Sequence, residues 1–145
     1  MRAPTVVVRV GMAALGAVHA WWGVWARLFP RHFFANFPGF GRRWTAAYPP
    51  YNEHLVTDLG ATFLTLAFLL FAGAWVRDRT VRAVSLVAVA IFSALHLTFH
   101  ATNHASMGSA DFATSLFFLI LGVLAPVTLL VIDRLATPAP RQFGD

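Results

Sequence analysis

The chain contains no cysteine, and its eleven basic residues are all arginine. Without thiols there is neither a disulfide nor a thiolate ligand, so any bound metal must rest on nitrogen and oxygen donors. Charge of either sign is scarce. Asp, Glu, Lys and Arg make up 12% of 145 residues, against 58% that are hydrophobic, with a mean hydropathy of +0.65. Few water-soluble domains have that balance. The net charge of +5 is read as a topological signal and as attraction to anionic lipid headgroups. It is not read as a nucleic-acid patch.

What the chain does have is apolar length. Apolar runs cover residues 6–29, 55–76, 83–100 and 112–132, each near the roughly 20 residues that cross hydrocarbon. The first follows Arg2 and passes Val18-His19-Ala20, which loosely suits a cleavage site. It continues, however, through Trp21, Trp22, Val24 and Trp25, as a retained span would. The expected fold is all-α: an integral membrane four-helix bundle forming one domain over residues 1–135. Residues 136–145 follow as an extended tail with Pro138 and Pro140. Pro126 is expected to kink the last helix.

Residues 30–51 form an aromatic interfacial loop between the first two spans. It carries Phe33, Phe34, Phe37, Phe40, Trp44, Tyr48 and Tyr51, with Pro38-Gly39 and Pro49-Pro50 as turn signals. Arg31, Arg42 and Arg43 are interspersed, which suits rings at the headgroup boundary and guanidinium groups in water. The loop is either a lid or an anchoring belt. Orientation follows from the arginines. Arg2, Arg9, Arg77, Arg79, Arg82, Arg134 and Arg141 fall on one side, and Arg27, Arg31, Arg42 and Arg43 on the other. That bias puts both termini of a multi-pass cell-membrane protein in the cytoplasm.

With that topology nearly every ionisable residue within the spans falls into layers in the outer half. His96, His100 and His104 recur every four residues on the third span, and His54 and Asp58 share that step on the second. Such pairs stack on one helix face, about 6 Å apart along the axis. His19 lies at the depth of His96, and Asp111 opens the last span. The inner half reads as plain apolar sequence. An ionisable group inside a bilayer is by default a functional candidate.

Imidazole and carboxylate without thiolate suit a transition metal such as zinc, iron or copper. Two facing helices offering His54/Asp58 and His96/His100 would supply four ligands, with His104 as a fifth or as a proton carrier. Glu53 or Asp111 would then act as general base or orient a ligand from outside the coordination sphere. The reading is a membrane metalloenzyme acting on a lipophilic substrate. Glu-x-x-His motifs are absent, so a di-iron carboxylate site is not expected. Two alternatives compete. His19 and His96 could be axial ligands of a b-type haem in a redox (oxidoreductase) subunit that binds haem or quinone. Or the polar layers only join helices in a non-catalytic subunit or small-molecule binder. Each residue also has a structural reading. Glu53 and Asp111 can sit in first helical turns behind caps Asn52 and Ser109, His104 can be solvated, and Asp58 can pair with a histidine. Oligomeric state stays open.

One resemblance bears on the fold. The run Phe37-Pro38-Gly39-Phe40-Gly41, then Pro49-Pro50-Tyr51-Asn52-Glu53-His54-Leu55 with Asp58 and Gly60, then His96-Leu97 with Phe99-His100, resembles a group of uncharacterised small actinobacterial membrane proteins. In plan the chain is similar to the DoxX-like superfamily of four-helix membrane proteins, some linked to thiol or quinone redox. The resemblance implies the four-helix architecture and transfers no catalytic motif. The lack of cysteine speaks against a thiol role.

Overall fold

The computed structural model describes residues 3–103 and 105–136. His104, expected as a ligand, and the tail from residue 137 onward lie outside the described residues.

Four long helices account for most of the chain: α1 (Ala3–Leu28), α3 (Glu53–Trp75), α4 (Arg79–Thr102) and α5 (Ser109–Leu135). All four are long and apolar enough to cross a membrane. A short fifth helix, α2 (Pro30–Asn36), follows α1, with Pro30 in the first turn, where its missing N–H costs nothing. A two-residue ribbon, β1 (Pro38–Gly39) against β2 (Arg42–Arg43), comes next, and a 3₁₀ turn spans Thr45–Ala47. The ribbon reverses through Gly39, Phe40 and Gly41, all at positive φ. The connection expected to be a loop is therefore a folded cap.

The long helices pack in a ring. α1 packs most extensively on α3, α4 packs on both α3 and α5, and α1 and α5 close the ring. The α1–α3 contact rests on two glycines. The Gly60 backbone lies so near α1 that an added Cβ would stand 2.8 Å from Arg27 N and 3.0 Å from Gly23 O. Two apolar clusters fill the ring. Val8, Met12, Leu66, Leu70, Leu86 and Val89 form one, and Ala26, Phe33, Val56 and Phe63 the other, beneath the cap.

Of the starts of α3, α4 and α5, two are capped by side chains. The Asn52 side chain accepts from Leu55 N at 3.2 Å and starts α3, as its sequence position suggests. Ser109, expected to cap α5, is instead its first residue; Gly108 occupies the cap position without a side-chain bond. Asp78 caps α4, its Oδ1 accepting from Thr80 N at 2.6 Å and Val81 N at 3.0 Å. Those N–H groups hold the Asp78 carboxyl below the usual carboxylate range. A depressed folded pKa means the capping stabilisation is complete above the unfolded value and is lost as pH falls from there through the folded value. Asp78→Asn should therefore keep the cap but flatten the acid limb of the melting curve. Asp78→Ala should lower the melting temperature at neutral pH. Thermal melts between pH 3 and 7 check both, and an unchanged acid limb in Asp78→Asn would refute the assignment.

The far end of the bundle, where α4 begins and α5 ends, is not plain apolar sequence. α4 begins a turn earlier and α5 ends a turn later than the apolar runs. The extra turns place Arg82 and Asp133 inside, 7% and 2% exposed. Arg82 Nε donates to Asp133 Oδ1 at 2.8 Å, and Arg79 Nε lies 3.8 Å from Oδ2. Pro126 is buried within α5, which continues through it.

Candidate functional site

On α4, positions 82, 86, 89, 96 and 100 repeat at helical spacing, so His96 and His100 share the inward face with the buried Arg82, Leu86 and Val89. Both histidines are half-buried. Their rings meet edge to face with centroids 4.5 Å apart, and His96 stacks on Phe92 at 5.6 Å. Above them the cap closes down. Tyr48 packs edge-on to His100, and its Oη lies 2.8 Å from His100 Nδ1. The same hydroxyl donates to Asn103 O. Burial pushes the Tyr48 hydroxyl up in pKa, so it keeps its proton.

Those two contacts determine a tautomer. A tyrosine hydroxyl has one hydrogen, and Asn103 O can only accept. The hydrogen between Tyr48 and His100 must then belong to Nδ1, which leaves His100 Nε2 with a bare lone pair. His19 is set the same way. It is 8% exposed, and its Nδ1 can only donate to Leu15 O, at 2.8 Å. Its ring packs on Trp22 and Phe63.

The remaining expected residues are placed elsewhere. His54 and Asp58 pair with each other, Nε2 to Oδ2 at 3.4 Å, with side chains 81% and 62% exposed. At about 100° per residue, they fall on the side of α3 opposite its buried positions Val56, Gly60 and Phe63. The four-ligand site spanning α3 and α4 is therefore not assembled. Among the described residues no group of three or more His, Asp or Glu could hold a metal ion. His19 and His96, the expected haem pair, are linked through the rings of Phe63 and Phe92. Glu53 accepts from Tyr51 Oη at 3.3 Å in the first turn of α3. Asp111 forms an ion pair with Arg42 and receives Trp44 Nε1 at 3.4 Å. Among the described residues neither carboxylate makes a hydrogen bond or ion pair with His96 or His100.

Comparison with protein families, curated proteins and solved structures returns no match. The site must be read from its own geometry.

Two residues that sequence reasoning left out of the site complete it. Tyr48, counted only among the loop aromatics, is the partner of His100. Arg42 ties the cap to α5 through Asp111, while Ser106 Oγ donates to Ala47 O at 3.2 Å from the turn before α5. No local signal announces Tyr48, since its partner lies 52 residues away. The tryptophan cluster divides its work. Trp22 and Trp25 pack inward on Phe37 and Phe33, whereas Trp21 is 67% exposed.

Proposed function

We propose that this chain spans a membrane four times, with both termini cytoplasmic, and that His96 and His100 hold one divalent transition-metal ion under the outer cap. What carries this reading is the His100 tautomer. A metal-bound histidine needs one bare nitrogen and characteristically donates its other N–H to an outer partner that orients it. Tyr48 is that partner, itself anchored to Asn103 O. With metal–nitrogen bonds of about 2.1 Å and tetrahedral angles, two imidazoles on one ion stand roughly 5 Å apart between centroids; these rings meet at 4.5 Å and would part slightly to share one. Two protein ligands leave coordination positions for water or for a substrate's polar group, as catalytic sites require. The surrounding Phe92, Phe99 and Tyr48 rings suit a lipophilic substrate, and imidazole donors without thiolate suit zinc, iron or copper.

Elemental analysis of the purified protein tests the reading. Wild type should carry about one metal ion per chain, and His96→Ala or His100→Ala should lose it. Tyr48→Phe should keep the ion but bind it roughly 10- to 100-fold more weakly. His54→Ala and Asp58→Ala should match wild type. Metal content unaffected by both α4 substitutions would refute the site.

A further inference from the structure

Two adjoining cavities lie outside the histidine site, at the junction of α1 and the cap. The first, about 270 Å³, is lined by His32, Asn36, Gly41, Arg42 and Arg43 and shares Trp25 with the second. The second, about 510 Å³, runs along α1 between Trp21, Val24, Trp25 and Phe29 and also reaches His32. One is basic and the other is walled by apolar side chains. Both are open to the surface.

The polar cavity carries two arginines and a histidine. No carboxylate lines it. Arg43 uses Nε on Ala35 O at 3.2 Å, and its terminal nitrogens have no partner among the described residues. Arg42 is ion-paired with Asp111, which does not line the cavity. Trp25 Nε1 donates to His32 Nδ1 at 2.9 Å. Because an indole N–H can only donate, neutral His32 carries its proton on Nε2, as a donor. The neighbouring groove lies on a helix apolar enough to cross a membrane, where the material available to fill it is acyl chain. At the hairpin tip Phe40 is fully uncovered, as a ring resting among lipid would be.

We infer that the two cavities form one site for an anionic glycerophospholipid, its phosphate on Arg42, Arg43 and His32 and an acyl chain along Trp21, Val24 and Phe29. This rests on the membrane-spanning reading but not on the metal. Retention of the chain in membranes after alkaline carbonate extraction tests the former separately.

Native mass spectrometry of the full chain from detergent tests the lipid site, with phosphatidylglycerol, phosphatidylcholine and inorganic phosphate as probes. Phosphatidylglycerol should bind in preference to phosphatidylcholine. Arg43→Gln should weaken it roughly tenfold, the loss expected for one charge-assisted contact. Arg27→Gln, a basic residue at the same rim but outside both cavities, should leave it unchanged. Trp21→Ala with Phe29→Ala should weaken the lipid but not inorganic phosphate. Equal binding of the two lipids, or no effect of Arg43→Gln, would overturn the proposal. Inorganic phosphate binding as tightly as the lipid would also overturn it, in favour of a free-anion site. Arg43 is exposed, so its substitution leaves folding intact, and a melting curve verifies this.

Discussion

Asp133→Ala should be the most destabilising single change in the chain, costing about 3–5 kcal/mol. Asp133 is 2% exposed and receives Arg82 Nε at 2.8 Å, with Arg79 Nε 3.8 Å from its other oxygen. Deleting the carboxylate leaves the Arg82 guanidinium, itself 7% exposed, buried without its counter-charge. The penalty comes from that stranded charge, since burying an ion pair roughly breaks even against apolar packing. Arg82→Met should accordingly cost less, because Asp133 keeps Arg79. The double variant Arg82→Met with Asp133→Leu should recover most of the loss. Denaturant titration of the three variants in detergent checks the order. An Asp133→Ala variant within about 1 kcal/mol of wild type would show that the pair does not hold α4 to α5.

Gly60→Ala should follow closely, and its effect should reach the histidine site. The new methyl would stand 2.8 Å from Arg27 N, 3.0 Å from Gly23 O and 3.2 Å from the Ala26 carbonyl carbon. All three are backbone atoms in the last two turns of α1, so relief requires α1 and α3 to move apart. Overpacking of this kind costs about 1–3 kcal/mol, and where backbone must yield the upper part of that range applies. Close approach at small residues is also how helices associate without a hydrophobic driving force between them. Phe63 lies one turn from Gly60 and packs on His19, Trp22 and Phe92, so separation of the helices loosens the floor under His96. Gly73→Ala offers the control. Its methyl would meet the end of the Met12 side chain at 2.3 Å, and a flexible thioether can swing aside. Melting temperatures should fall clearly for Gly60→Ala and little for Gly73→Ala. The reverse order would refute the argument.

These two sites divide what a linear reading reaches from what it misses. Apolar length is a property of contiguous residues, so four helices able to cross a membrane, and their approximate ends, are legible in composition alone. Helix-face periodicity also shows that His96 and His100 project together. The depth of a residue along a span can likewise be counted. The direction a helix faces cannot. His54 and Asp58 share one face of α3, yet Val56, Gly60 and Phe63 take its inward side. The acid–imidazole pair is thereby turned outward. The turn was set by the Gly23–Gly60 contact, which involves residues 37 positions apart and carries no chemical label.

The same limit explains the far end. Arg82 and Asp133 fall just outside the apolar runs, where a charge ordinarily reads as a boundary in water. Burial of both follows from their pairing across two helices, 51 residues apart.

From residues alone come the absence of thiol chemistry, the four apolar spans and the imidazole pair on α4, because each depends on side-chain type or on spacing within one helix. Which imidazoles keep a bare nitrogen, which acids turn away from them and which arginine is buried emerged only on folding. Rotation of a helix about its axis is settled by its neighbours' packing, and a hydrogen's place by whichever partner arrives from elsewhere in the chain.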